Sequence, residues 1–150
     1  MPEYLQTTID KFTFKVATDR RYSGDGIWLQ ETADGRLRVG VTDFVQQHSG
    51  DVAFASVKAT GTTLSAGDEF AELETVKVNL SLPLPVAGTI VEVNPALDTT
   101  PEVVNQAPYG DGWLAVVEVP AGAIDRVGLL DPPAYFAVMR SQVEQELNQQ

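Results

Sequence analysis

The stretch ELETVKVNL, residues 72 to 80, has the composition of a β-strand, yet its centre holds Lys77, one of only four lysines in the chain with Lys11, Lys15 and Lys58. In a straight strand successive side chains alternate between faces. Carried on to residue 86, that rule sends Val76, Val78, Leu80, Leu82, Leu84 and Val86 inward and Lys77, Asn79 and Ser81 outward. Periodicity therefore makes Lys77 an ordinary exposed cation. Its setting is less ordinary: Glu72 and Glu74 precede it, Val76 and Val78 flank it, and a Pro-Val-Ala-Gly-Thr run follows at 85 to 89.

Outward from this stretch the chain continues in the same idiom. Segments rich in β-branched and aromatic residues occupy 12–17, 26–32, 36–41, 52–57, 70–84, 89–94 and 113–119. Turn formers separate them, at Ala33-Asp34-Gly35, Ser65-Ala66-Gly67-Asp68 and Tyr109-Gly110-Asp111-Gly112. This spacing predicts an all-β fold with flanking helices. Thr42 or Asp43 can cap a short helix through Phe44-Val45-Gln46-Gln47-His48, ended by Gly50. Asp131 followed by Pro132 and Pro133 opens a longer C-terminal helix, with Tyr135, Val138, Met139 and Val143 near helical spacing. Its last residues, 146 to 150, are expected to fray. A weak echo links Ala59-Thr60-Gly61-Thr62 with Val86-Ala87-Gly88-Thr89.

Composition narrows the function. The 150 residues suit a single domain, 1–150, which at this length buries about 70% of its unfolded surface. With 21 acidic against 10 basic residues and a net charge of −11, the field of the chain repels phosphates, so nucleic acid and anionic membrane are poor partners and basic protein surfaces better ones. Cysteine is absent, which excludes disulfides, thiolate nucleophiles and cysteine metal sites. The N-terminus has no basic region leading into an apolar one, and no stretch approaches the ~20 apolar residues of a membrane span. A cytoplasmic location is expected.

A search for catalytic groups returns little. His48 stands beside Ser49 and Asp51, but three neighbours in one turn are not a triad, whose members converge in space. Glu72 and Glu74 share one strand face and read as solvated acids. There is no phosphate-binding glycine loop and no calcium-loop spacing. An enzyme working alone is disfavoured; carrying or binding is favoured.

From Gly40 onward the residues resemble those of the H-protein of the glycine cleavage system, a lipoyl carrier. The matching segments are Gly40-Val41-Thr42-Asp43-Phe44, Gly50-Asp51-Val52 with Phe54, Gly61, Gly67-Asp68, Glu74-Thr75-Val76-Lys77, Pro85-Val86-Ala87-Gly88, Val91-Glu92-Val93-Asn94, Leu97, Thr100-Pro101-Glu102, Val104-Asn105, Pro108 to Leu114, and Leu129-Leu130-Asp131 with Tyr135. They cover more than two thirds of the chain in the family's order. The resemblance implies a lipoyl/biotinyl-type barrel-sandwich hybrid of two short antiparallel sheets with a C-terminal helix. It also implies that Lys77 carries lipoic acid as N6-lipoyl-lysine, with Val76 and Lys77 at the tip of a tight hairpin. That tip replaces the straight strand.

In this family the arm serves glycine decarboxylase, aminomethyltransferase and dihydrolipoyl dehydrogenase in turn, after a lipoate ligase or lipoyl synthase has attached it. The resemblance implies a non-catalytic carrier. Tethering substitutes a high effective concentration for diffusion, and amide formation removes the lysine charge. The chain departs from the family where Glu-His-Glu-Trp becomes Asp25-Gly26-Ile27-Trp28, where Leu-Pro-Glu-Val-Gly becomes Val57-Lys58-Ala59-Thr60-Gly61, and where polar Gln46-Gln47-His48 precedes Ser49-Gly50-Asp51. These changes leave the lysine hairpin intact. Two cargoes stay open on this basis: an aminomethyl group, or sulfur intermediates as in the H-protein-like lipoate-binding proteins of a heterodisulfide-reductase-like sulfur oxidation complex. An unmodified scaffold of the same fold is the third reading. Val76 and Val78, in place of the methionines that usually flank a biotinyl lysine, argue against a biotin carrier.

Overall fold

A computed structural model describes residues 3–33, 35–120, 122–126 and 128–148. The chain runs through β1 (Tyr4–Ile9), β2 (Phe12–Ala17), β3 (Arg21–Tyr22), β4 (Ile27–Ala33) and β5 (Arg36–Val41) into the helix α1 (Asp43–Ser49). After it come β6 (Val52–Val57), β7 (Thr63–Leu64), β8 (Glu69–Thr75), β9 (Asn79–Pro83) and β10 (Gly88–Val93). The short helices α2 (Ala96–Thr99) and α3 (Val103–Gln106), β11 (Ala115–Glu118), α4 (Ala123–Arg126) and the long α5 (Pro132–Asn148) complete it. The expected all-β fold with flanking helices is present. Asp34 of the expected turn at 33–35 lies outside the described residues, as do Gln149 and Gln150 of the expected frayed end; Glu146 and Leu147 remain helical.

The two expected sheets face each other. One is six-stranded in the order β3-β4-β5-β11-β10-β7; the other is three-stranded, β6-β8-β9. All their pairings are antiparallel. Alternation explains the core between them: Leu37, Val39 and Val41 of β5 and Ile27 and Leu29 of β4 point to one face, where they meet Phe70, Leu73, Leu82 and Leu84 from the small sheet. The echo segments lie side by side, because Gly88 and Thr89 pair with Leu64 and Thr63, and Ile90 N donates to Thr62 O.

The other face of the large sheet is buried too. Trp28 projects there into a second core with Phe14, Val16, Tyr22, Phe44, Tyr135, Met139 and Val143. Gly40 is the cross-strand partner of Trp28, and a Cβ at position 40 would sit 2.6 Å from the indole, so only glycine lets the ring lie flat across β5. The Arg20 guanidinium is almost fully buried against that ring, 4.6 Å from its centroid, and is satisfied by Asp19 Oδ1 and Tyr109 O.

A third, two-stranded sheet is the β1–β2 hairpin, of which the sequence reading anticipated only β2. It turns at Asp10 and Lys11, both at positive φ (49° and 75°), without the glycine that usually marks such a turn. Straight-strand alternation also fails at one place. Leu82, Leu84 and Val86 are buried as expected, but β8 stops at Thr75, and Val76 and Val78 are 77% and 45% exposed. Residues 70–86 are two strands and a tip, because the backbone reverses where Thr75 can close a turn.

Candidate functional site

The hairpin joining β8 to β9 is closed by one side chain. Thr75 Oγ1 donates to Val78 O (2.9 Å) and accepts from Val78 N (3.0 Å) and Lys77 N (3.2 Å), while Thr75 N donates to Val78 O (2.9 Å). Every backbone N–H from Thr75 to Val78 finds a partner, and Lys77 is presented at the apex without positive φ. Its side chain is exposed, and among the described residues no carboxylate lies in ion-pair range of Nζ.

The tip is also anchored from outside the hairpin. Val76 N donates to Asp51 O (3.2 Å), which ties it to the junction between α1 and β6. Asn105 of α3 fixes that junction: its Nδ2 donates to Gly50 O (3.0 Å) and Gln46 Oε1 (3.1 Å), and its Oδ1 accepts from Val52 N (2.8 Å). Gly50 ends α1 at φ +87°, as the sequence suggests, and a Cβ there would lie about 3.7 Å from Cγ and Cδ of Lys77. The lysine stem therefore runs across the C-terminal end of α1. Thr42 caps the other end by accepting from Val45 N.

Two grooves open beside the tip. The one Lys77 lines has a volume of about 210 Å³ and is walled by Phe12 and Phe14 of β2, Phe44 and His48 of α1, and Val143 and Leu147 of α5. A larger one of about 490 Å³ runs past Asp25, Ser49, Leu80 and Ser81. Phe44, His48 and Glu146 line both.

The other polar residues singled out in the sequence do not assemble. His48 Nδ1 lies 2.9 Å from Glu146 Oε1 and its ring stacks on Phe44, while Ser49 Oγ is buried with no hydrogen-bond partner among the described residues; Asp51 contributes its carbonyl. Glu72 and Glu74 lie on the outer face of β8, opposite Ser81 and Asn79 of β9, with Ala71 and Leu73 facing the core. The pinning role of Asn105 escaped the sequence reading, because its partners are more than fifty residues away. Beneath α1, the Tyr135 hydroxyl bonds Thr42 Oγ1 at 2.9 Å and its ring stacks on Tyr22 at 4.6 Å. Burial pushes the Tyr135 hydroxyl up to about 12 against the opposing pull of the Thr42 hydrogen bond, and burial likewise raises Tyr22 and Tyr109.

Comparison with known proteins bears on this geometry. Residues 20–142 match the family model described as Glycine cleavage H-protein. The chain is 43% identical over 121 residues to the glycine cleavage system H protein of Bacteroides fragilis, covering 81% of this chain and 94% of the relative. It is 39% identical over 127 residues to the glycine cleavage system H protein of Mycolicibacterium smegmatis, covering 83% and 97%. The crystal structure of a glycine cleavage system H protein from Mycobacterium marinum superposes with a TM-score of 0.70 at 38% identity, over 79% of this chain and 94% of that one.

Proposed function

Because the chain belongs to the glycine cleavage H-protein family, we propose that residues 1–150 form one lipoyl-type domain whose Lys77 is the lipoyl attachment site, and that the protein is a non-catalytic carrier of glycine cleavage. The observation that carries the assignment is the Thr75-closed tip: it holds at its apex an exposed lysine with no carboxylate in ion-pair range among the described residues. An amine so placed is open to acyl transfer, and the residues around it fit the product. Acylation makes the head neutral, and the adjoining groove sets the aromatic rings of Phe12, Phe14 and Phe44 beside the polar Gln47, His48 and Glu146. Bound lipoate supplies a dithiolane whose thiol exchange does the redox work.

What the protein contributes is presentation. The anchors at Asp51 O and Asn105 fix the lysine Cα, so that motion is confined to the stem and the arm beyond it. In this reading the arm meets glycine decarboxylase, aminomethyltransferase and dihydrolipoyl dehydrogenase in turn in the cytoplasm, and a lipoate ligase or lipoyl synthase loads it. Exposed Phe54, Val76 and Val78 around the tip offer apolar contact to these partners, within an acidic field that steers basic surfaces. The names of the relatives favour glycine cleavage over sulfur carriage, and the hairpin lysine favours a carrier over an unmodified scaffold.

Intact mass and peptide mapping of protein made with lipoate and its ligase test the assignment. One lipoyl amide on Lys77 is expected. Modification at another lysine, or none while a control carrier is fully loaded, would overturn it. Loading by glycine decarboxylase with glycine then tests the cargo.

A further inference from the structure

The β1–β2 hairpin lies wholly before residue 20, outside the segment that matches the family, and its two edges differ. The β2 edge is closed by side chains: Lys15 N donates to Asp43 Oδ2 (2.9 Å), Gln47 Nε2 donates to Thr13 O (2.9 Å), and the Tyr109 hydroxyl donates to Lys15 O (2.7 Å). In an antiparallel pair the backbone groups of two residues directly opposite each other either face one another or both point away. Thr13 and Lys15 point away from β1, so Thr8 and Gln6 opposite them point away from β2, and Tyr4, two residues further along, does the same. The backbone N–H and C=O groups of Tyr4, Gln6 and Thr8 have no protein partner among the described residues, and all three residues are exposed.

The margins of the other two sheets are blunted, and this one is not. β3 and β7, at the margins of the large sheet, are two residues long; β6, at one margin of the small sheet, pairs through a register shift, and β9, at the other, ends in Pro83. Short strands, bulges, prolines and charges are the usual guards of an edge. β1 pairs with β2 over six residues with no shift, and its sequence Tyr-Leu-Gln-Thr-Thr-Ile holds neither a charge nor a proline. In a chain of net charge −11, residues 4–11 balance, Asp10 against Lys11. An uncharged strand with free hydrogen-bonding groups is left facing outward.

We propose that β1 pairs antiparallel with β1 of a second copy of the chain, joining the two hairpins into one sheet about a two-fold axis at Gln6. The outward residues match themselves in that register: Gln6 faces Gln6 of the other copy, and Tyr4 faces Thr8, an aromatic against a β-branched side chain. On the opposite face Leu5 comes across from Thr7, and Glu3 comes beside Lys11 at the tip of the other hairpin, so opposite charges meet at both ends of the pairing. A single strand pair is at the small end of specific interfaces, and two copies of an acidic chain repel, so the association belongs in the micromolar range. The axis stands perpendicular to the joined sheet, and both copies therefore turn the same way the hairpin face that adjoins Lys77. On the carrier reading, the pair presents two arms on one side and gains avidity for a partner with two sites. The pairing itself needs no lipoyl group.

Sedimentation equilibrium of the unlipoylated full-length protein, up to about 500 μM, reads the association directly. The wild type is expected to form a dimer whose dissociation constant falls severalfold as salt rises from about 0.05 to 0.5 M, because screening relieves the repulsion between two acidic chains. Gln6→Lys and Gln6→Glu, at an exposed position whose backbone groups take no part in the β1–β2 ladder, each set like charges against one another on the axis. Each is expected to raise the dissociation constant roughly tenfold or more. An equimolar mixture of the two variants should restore the dimer, since opposite charges then meet at the axis. A wild type that stays monomeric at the highest concentration, a dimer indifferent to both variants, a mixture no stronger than either variant alone, or association that weakens with salt would overturn the pairing. Lipoylation of Lys77 is read separately by mass, so failure of the carrier reading and failure of the pairing are told apart.

Discussion

Two hairpins in this molecule end in a lysine, and they are made in opposite ways. At the β8–β9 tip Lys77 sits at negative φ, and the Thr75 hydroxyl meets three backbone groups. At the β1–β2 tip Asp10 and Lys11 adopt positive φ, which is unfavourable by about 1–2 kcal/mol for a residue such as lysine. The first turn is stable by its own bonds and serves to present a side chain. The second is imposed by what its strands pack against, namely α1 and α5. A turn whose local bonds are satisfied holds its shape unaided, whereas a turn without them can be strained by the contacts on either side.

The widest separation between the two should appear in chemistry. Lys77→Arg is expected to abolish lipoylation and Lys11→Arg to leave it complete, as read by intact mass; retention of lipoate by Lys77→Arg would erase the distinction. Next in size is the platform on which both hairpins lean. Burial holds the Tyr135 hydroxyl at about 12 against its ordinary 10. The unfolded chain therefore loses this proton first as pH rises. The associated stability is fully present below pH 10 and falls through pH 12, by about 3 kcal/mol in all. Denaturant midpoints against pH should show that fall, and Tyr135→Phe should lessen it.

Smaller effects concern the anchors. Asn105→Leu strips partners from Gly50 O and Val52 N behind the Lys77 tip and should cost about 2 kcal/mol in chemical denaturation, together with slower lipoylation. Thr75→Val loses the exposed turn bonds and should cost about 1 kcal/mol while slowing lipoylation more than it lowers stability. At the other hairpin the sign reverses: Lys11→Gly relieves positive φ and should raise the midpoint by about 0.5–1 kcal/mol with lipoylation unchanged. Destabilisation by Lys11→Gly would show that the first turn is not strained after all.

The same contrast explains what could be read in advance. β5 and β6 fall at the expected 36–41 and 52–57, α1 begins after the Thr42 cap and ends at Gly50, and Asp131 Oδ1 accepts from Ala134 N at the start of α5. Each is a matter of a few neighbouring residues. β1 went unseen because Asp10-Lys11 carries no turn signature. Lys77 was legible at the tip only through family resemblance, since alternation alone ran the strand straight through Val76 and Val78. The groove beside it was not legible at all.

The sequence by itself determined the strand faces, the caps of α1 and α5, the acidic surface and the lysine embedded in a β-run. These follow from side-chain periodicity, local hydrogen bonding and formal charge, all of which act within a turn or two of chain. Tertiary structure alone decided that Asp51 and Asn105 anchor the tip, that a strained hairpin folds over α1, and that Phe12, Phe44 and Val143, spread across 132 positions, wall one groove. Such contacts depend on closing long loops and packing three elements together, and no local pattern encodes which distant partners will meet.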